Sequence, residues 1–104
     1  MRNLNALMKQ AQAVQAQMAK IQEELANRRV EATSGGGMVT VVADGQQNII
    51  EIKIDREIVN PDDVEMLEDL VLAAVNEAKK RSQEIMASEM SKVAGGLHLP
   101  GFGI

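Results

Sequence analysis

The chain contains no cysteine, no tryptophan, no tyrosine and a single phenylalanine among its 104 residues. Without thiols it forms no disulfide, no thiolate zinc site and no cysteine nucleophile, which fits a protein of the reducing cytoplasm. Without a set of aromatic side chains it has no platform on which single-stranded bases stack. The function must therefore depend on helices, a small sheet and charged surface.

Long hydrophobic runs are missing as well. The longest apolar run of note, Leu70–Val75, is far below the roughly 20 residues that cross a bilayer. The first residues lead into an amphipathic pattern and lack the continuous apolar core of a signal peptide. We therefore expect a soluble protein with no membrane partner. The length predicts one small domain, whose sheet needs covering by helices or by a second copy.

The first long segment, from Asn3 to about Asn27, contains no proline or glycine and is rich in strong helix formers. When Leu4 is placed at heptad position a, every a and d position as far as Leu25 is apolar. These positions, called the seam below, are Leu4, Leu7, Ala11, Val14, Met18, Ile21 and Leu25. The pattern predicts a long helix that packs on a partner helix, within one protomer or across two.

The middle segment, Val30–Asp55, predicts three strands and two turns. In its third strand Ile50, Ile52 and Ile54 share one face, because side chains alternate along a strand. We expect that isoleucine face to be buried.

Glycine marks both predicted turns. Asp44-Gly45 is expected to supply the positive φ angles of a tight hairpin turn, and Gly35–Gly37 forms the other turn. A phosphate-cradling loop is the competing interpretation of the glycine triplet. It is disfavoured because neither a Gly-Lys-Ser/Thr ending nor a helix follows the triplet.

The second helix is predicted from Pro61 to about Ala94, with Asn60 as its cap and glycines ending it. Its first half, around Leu70–Val75, is apolar nearly all round and should be buried on several sides. An acidic cluster near its start is explained by helix capping and a solvated face, because no loop with calcium-ligand spacing surrounds it. The cluster is Asp62, Asp63, Glu65, Glu68 and Asp69. No metal and no cofactor is predicted.

A single domain of residues 1–94 is predicted, followed by a loosely ordered tail of residues 95–104 whose apolar side chains are able to dock on a partner. His98 in this tail is the only histidine. It has no serine or cysteine constellation that would make it a catalytic base. We expect neither an enzyme nor a small-molecule substrate.

Charge is unevenly distributed along the chain, which has a net charge of −4. Residues 1–30 carry five basic and two acidic side chains, and residues 70–104 carry four basic and three acidic ones. Residues 31–69 carry two basic and ten acidic side chains. The helical ends of the chain are therefore mildly basic, and the strand region between them is acidic.

Several motifs together resemble the YbaB/EbfC family of nucleoid-associated proteins. They are Leu7–Gln12, Gly35–Val39, Ile52–Asp55, Asp63–Val71, Ala73–Ala78 and Gly95–Gly101. The resemblance covers nearly the whole chain, and it is the combination of these motifs that makes it specific.

The resemblance implies an α+β fold with an αβββα protomer, in which a small antiparallel sheet is flanked by two long helices. It also implies a tweezers-like homodimer that binds double-stranded DNA in the bacterial nucleoid, within the cytoplasm, without enzyme activity. The family's DNA contacts are attributed to the helical arms, so the DNA-binding role is carried to the cations on this chain's helices. Those cations are Arg2, Lys9, Lys20, Arg28, Arg29, Lys79, Lys80, Arg81 and Lys92.

Two other hypotheses follow from the same pattern. Long helices flanking β-hairpins are also found in prefoldin subunits, which suggests a protein-interaction or holdase scaffold without DNA binding. Its adaptable surface would use Met8, Met18, Met66, Met86 and Met90, although core packing explains most of them. A metal-dependent hydrolase has only the acidic cluster in its favour.

Overall fold

The computed structural model describes residues 2–96, which form two long helices and a three-stranded antiparallel sheet. The elements in chain order are α1 (Arg2–Asn27), β1 (Arg29–Ser34), β2 (Val39–Asp44), β3 (Ile49–Ile54) and α2 (Val64–Gly96). The predicted α+β class and αβββα order are confirmed. Helix α2 includes the two glycines that were expected to end it at about Ala94. Residues 97–104, with His98 and most of the predicted tail, lie outside the described residues.

The core lies between the sheet and one face of α2. The strands are ordered β1-β2-β3, and α2 runs across β1 and β2. Ala74 and Ala78 of α2 are fully buried there, because small side chains let a helix approach a sheet closely. Alternate residues of β1 and β2 complete this cluster, because side chains alternate between the two faces of a strand. They are Val30, Ala32, Val39, Val41 and Ala43.

Two serines fix α2 to opposite ends of the sheet. The Ser34 hydroxyl, at the end of β1, donates a hydrogen bond to the Leu70 carbonyl (2.6 Å). The Ser82 hydroxyl donates to the Asp44 carbonyl (2.7 Å) and accepts from the Gln47 N–H (2.9 Å). Leu70 and Ser82 are ~18 Å apart along a helix, close to the ~20 Å length of a six-residue strand. Everything that follows Ser82 in α2 therefore extends beyond the sheet.

The predicted burial of the isoleucine face is wrong for the protomer. Ile50, Ile52 and Ile54 are 49%, 45% and 39% exposed. Ile52 pairs with Val41 and Ile54 with Val39, so these two isoleucines belong to the core face of the sheet. They stay exposed because α2 covers the other two strands. A β-bulge skips Ile50, and Ile49 packs against the core in its place.

The first half of α2 is buried on one side only, which corrects the expectation of burial on several sides. Leu72 is 59% exposed, and Val64 is also exposed. An open apolar groove of about 440 Å³ runs between this half of α2 and the edge strand β3. Its apolar lining residues are Ile54, Leu67, Val71, Leu72 and Val75.

The turn between β2 and β3 is organised by a buried carboxylate. Asp44 Oδ1 accepts hydrogen bonds from the N–H groups of Gln46 (2.8 Å) and Asn48 (3.0 Å), and Oδ2 accepts one from Asn48 Nδ2 (3.0 Å). Burial raises the pKa of Asp44, but these hydrogen bonds and the nearby Arg29 charge outweigh it and hold the pKa below its ordinary value of 3.8.

Gly45 serves the turn in a different way from the one predicted. The positive φ angle of this turn occurs at Gln47 (67°) and not at Gly45. Gly45 is needed because α1 ends against it: its N–H donates to the Leu25 carbonyl (2.8 Å). A Cβ at this position would lie 2.7 Å from that carbonyl oxygen. At the other turn the prediction is confirmed, since Gly35, Gly36 and Gly37 have φ angles of 61°, 68° and 92°.

The start of α2 also differs from the sequence prediction. Asp63 is the residue that caps the helix, because its Oδ1 accepts from the Met66 N–H (3.2 Å). Asn60 instead organises the preceding turn, where its Oδ1 accepts from the Asp62 N–H (3.0 Å). Pro61 lies in that turn, and the helix begins at Val64.

Beyond the sheet, α1 and the second half of α2 pack side by side, and this pair is called the arm below. The sheet-proximal half of the seam packs within the protomer: Met18, Ile21 and Leu25 meet α2. The α2 residues in this cluster are Ile85, Met86, Met90 and Val93. The arm makes the molecule elongated, with principal extents of 72 × 24 × 16 Å.

Replacing Asp44 tests the buried carboxylate. We expect Asp44→Asn to lower the free energy of unfolding at pH 7 by about 1–3 kcal/mol, because charge-assisted hydrogen bonds are removed. The folded-state pKa is depressed, so this contribution is present above pH 3.8 and is lost as the pH falls through the folded value. Urea unfolding of both proteins at pH 7 and pH 3 measures it. The control is Asp55→Asn, whose exposed carboxylate accepts one hydrogen bond from the Glu57 N–H. If the difference in unfolding free energy between the wild type and Asp44→Asn is as large at pH 3 as at pH 7, the charged Asp44 carboxylate is not the source of this stability.

A second pair of variants tests the close approach at Gly45. We expect Gly45→Ala to lower the free energy of unfolding by about 1–3 kcal/mol, because the new methyl group overlaps the Leu25 backbone. Gly95→Ala is the matched control, since nothing lies within 4 Å of a Cβ there. Alanine in a helix should keep or raise stability by up to about 1 kcal/mol. Thermal or urea unfolding measures both. Equal effects of the two substitutions would show that the close approach is unimportant.

Candidate nucleic-acid interface

Helix α1 presents a line of positive charge. Lys9 and Lys20 are exposed on it, and Arg2 is its first residue. These positions are seven and eleven residues apart, which at 3.6 residues per turn puts all three within ~20° of one another around the helix. From residue 2 to residue 22 the helix carries no carboxylate; its acidic residues, Glu23 and Glu24, lie at the end near the sheet. We call these three positions the cation line.

Helix α2 adds a second positive cluster where it leaves the sheet. Lys79 and Lys80 are exposed, one turn before the anchoring Ser82. Within the part of the chain that the structure describes, neither lysine has a carboxylate within 4 Å. Both are therefore available to an external anion.

The neighbouring Arg81 is occupied by contacts inside the protein. Its Nε lies 3.3 Å from Glu77 Oε1, one turn earlier on α2, and its Nη1 donates a short hydrogen bond to the Glu31 carbonyl in β1. The guanidinium thus bridges helix and edge strand. The sequence prediction lists Arg81 among the DNA-binding cations with the two lysines, and the structure gives Arg81 internal contacts that neither lysine has among the described residues.

Glu89 engages two more of the predicted cations. Its Oε1 lies 3.7 Å from Arg28 Nη1 and 3.3 Å from Lys92 Nζ. The carboxylate side chain is 20% exposed, whereas Lys92 is 71% exposed. Arg28 and Lys92 are thereby partly neutralised, and the Arg28 contact joins the end of α1 to α2.

Arg29 folds back on the end of α1. Its Nη1 donates to the carbonyls of Ala26 (2.9 Å) and Arg28 (2.9 Å). A cation near a helix C-terminus is stabilised by the helix dipole and by the carbonyls that have no helical partner. Arg29 therefore has a local structural role, and it also faces Asp44 across the β1-β2 pair.

Exposed carboxylates collect at the opposite end of the molecule from the arm, on β3, the segment after it and the first turns of α2. We call this region the acidic end; its members are Glu51, Asp55, Glu57, Asp62, Asp63, Glu65, Glu68 and Asp69. Among residues 2–96, no group of three or more histidine, aspartate or glutamate side chains is placed to hold a metal ion. The acidic cluster near the start of α2 is thus spread over the surface.

Sequence reasoning missed the division of the cations into free and engaged groups. A local signal exists for two pairs, since Glu77 precedes Arg81 by four residues and Glu89 precedes Lys92 by three. The contacts of Arg28 with Glu89 and of Arg81 with Glu31 join residues far apart in the chain, so no sequence pattern reveals them. Among the described side chains of the two helices, the cations without a carboxylate within 4 Å are Lys9, Lys20, Lys79 and Lys80.

The methionines do not form one adaptable surface. Met18, Met86 and Met90 pack in the arm cluster, whereas Met8 and Met66 are exposed on different helices. Over the described residues, neither helix has a stretch apolar enough to cross a bilayer.

Fold and charge together define a small α+β protein with exposed lysines on both helices and a separate group of exposed carboxylates on β3 and the start of α2. The chain belongs to the YbaB/EbfC DNA-binding family, whose model matches residues 1–97. The prediction of a nucleoid-associated, DNA-binding family is confirmed. The prefoldin-like alternative has no support.

Curated relatives are similar over nearly their full length. The chain is 60% identical over 99 residues to a nucleoid-associated protein of Desulforamulus reducens, covering 95% of this chain and 94% of that protein. It is 57% identical over 102 residues to one of Moorella thermoacetica, covering 98% of each. It is 54% identical over 97 residues to one of Syntrophobacter fumaroxidans, covering 93% of this chain and 88% of that protein.

A solved structure shares the fold. The crystal structure of an uncharacterized protein from Helicobacter pylori aligns with a TM-score of 0.77 over 85% of this chain and 92% of that chain. Sequence identity is 20%, so this similarity bears on the fold alone.

Proposed function

We propose that the protein binds double-stranded DNA as a homodimer, through cations on α1 and α2, and acts on the nucleoid within the cytoplasm. One observation carries the proposal: the cation line lies on a stretch of α1 without carboxylates, while eight exposed carboxylates gather at the acidic end. The role is binding without a cofactor, a metal or a small-molecule substrate, and the absence of catalysis stays a prediction.

The spacing of the cation line suits a phosphate backbone. Lys9 and Lys20 are ~16 Å apart along the helix. Phosphates follow one another at about 3.4 Å per base pair along each strand, so the two lysines span about five of them. Contacts of this kind hold the protein on DNA without reading its sequence.

A negative net charge does not prevent this binding. Lys9 lies ~24 Å along α1 from Leu25, where the helix meets the sheet. The Debye length at physiological salt is about 8 Å, so carboxylates of the acidic end are largely screened at the outer part of the arm. Local charge on the arm therefore decides the interaction, and the acidic end faces away from the DNA.

Exposed apolar surface at β3 supports the homodimer. The groove between β3 and α2, with Ile52 beside it, leaves large aliphatic side chains in water at an edge strand whose backbone groups are free to pair. A second copy offers the same surface, and a two-fold axis lets each cover the other. Two arms then give twice as many phosphate contacts as one.

The cation line is tested by removing its two described lysines. We expect Lys9→Ala with Lys20→Ala to weaken binding to a 30-base-pair duplex and to flatten its salt dependence. The slope of log affinity against log salt should fall by about 0.9 for each phosphate that the variant leaves without a lysine partner. Each substitution occurs twice in a homodimer. Fluorescence anisotropy at several salt concentrations measures both the affinity and the slope.

The matched control removes the same charge elsewhere. Lys53→Ala with Arg56→Ala takes two cations from the acidic end and should leave the slope unchanged. DNA binding that responds equally to both double variants, or that is insensitive to salt, contradicts the proposed interface.

The homodimer is tested at the apolar groove. We expect the wild type to sediment as a dimer and Leu72→Lys as a monomer of 11.3 kDa, because burying a lysine charge in an apolar interface is costly. Ala87→Lys, at an exposed position further along the same helix, is the control and should remain dimeric. Circular dichroism checks that each variant keeps its helices. A monomeric wild type, or a dimeric Leu72→Lys, would refute this interface.

A further inference from the structure

The two edge strands of the sheet, β1 and β3, differ in how their outer backbone groups are occupied. An edge strand carries a row of N–H and C=O groups that have no neighbouring strand, and such a row pairs readily with another chain. On β1 the Glu31 carbonyl accepts the hydrogen bond from Arg81 Nη1. On β3, no side chain of residues 2–96 is hydrogen-bonded to the strand backbone. One edge is therefore occupied, and the other is open.

The Glu31 carbonyl lies at a position where an obstacle interrupts the whole edge. Glu31 is the third of the six residues of β1. In an antiparallel sheet the N–H and C=O groups of one residue point to the same side, and those of alternate residues point to opposite sides. The carbonyl that reaches Arg81 faces away from β2, so the Glu31 N–H does too. A strand added to β1 would need both groups.

The Arg81 guanidinium is held at this edge from the helix side. Its Nε lies 3.3 Å from Glu77 Oε1, one turn earlier on α2. Around it, an open cavity of about 410 Å³ lies between β1 and α2. The lining residues are Val30, Glu31, Arg81, Glu84, Ile85 and Ser88. An added strand would enter this space and would have to displace the arginine from the Glu31 carbonyl.

We propose that Arg81 closes the β1 edge against strand addition and so prevents assembly through β1 with a second copy of the chain. Without the guanidinium, two β1 strands fit one another across a two-fold axis, because each copy presents the same groups. In a homodimer formed at β3, each protomer would then have a second contact surface. Two different two-fold contacts in alternation extend into an open-ended filament. This role of Arg81 in limiting assembly does not depend on DNA binding.

Replacing Arg81 tests the proposal in the full-length protein. We expect the weight-average mass of Arg81→Ala, measured by sedimentation, to rise with protein concentration and to exceed that of the wild type by about twofold or more. The control is Arg56→Ala, which removes an exposed arginine from the segment after β3. Its mass should equal that of the wild type at every concentration.

A double variant distinguishes strand pairing from misfolding. Arg81→Ala with Glu31→Pro opens the edge and blocks it again, because proline has no N–H to donate to an added strand and is tolerated where that N–H is not used by the sheet. This protein should return to the wild-type mass, and circular dichroism checks that each variant keeps its helices. Arg81→Ala with the mass of the wild type, or larger species that persist in the double variant, would overturn the proposal.

Discussion

The packing of α2 across β1 and β2 is the constraint on which the rest of the structure depends. The helix approaches through Ala74 and Ala78, and hydrogen bonds from Ser34 and Ser82 fix it at both ends of the strands. A helix of 33 residues is far longer than strands of six. Its second half must therefore leave the sheet, and α1 packs against it to form the arm. The same placement leaves β3 uncovered, so an open apolar groove remains between β3 and α2.

This geometry also places basic and acidic residues in different parts of the molecule. Eight exposed carboxylates occupy β3, the segment after it and the start of α2, while the charged residues of the outer part of α1 are all basic. Three cations have partners inside the protein: Arg81 bridges α2 to β1, and Arg28 shares Glu89 with Lys92. The lysines without such partners are the ones the proposed interface uses. Membership of the YbaB/EbfC DNA-binding family agrees with this division.

The sequence predicted the helices and strands well but predicted their burial less well, and both outcomes have physical causes. Heptad spacing in α1 is a local pattern, so the helix was correctly placed. Alternation in β3 is equally clear, but whether Ile52 is buried depends on which strands α2 covers. Gly45 likewise looked like a source of positive φ, whereas its neighbour Leu25 is what forbids a side chain. The pairing of Arg28 with Glu89 was beyond prediction because the fold alone brings them together.

The most direct test of the account is a map of which backbone amides change when DNA is added. We expect NMR chemical-shift changes in a titration of the protein with a short duplex to fall on α1 between residues 2 and 22 and on α2 around Lys79. Amides of β3 and of the first turns of α2 should stay unchanged. Changes concentrated on β3 and the acidic end, or no changes at the cation line, would contradict the assignment of DNA binding to the arm.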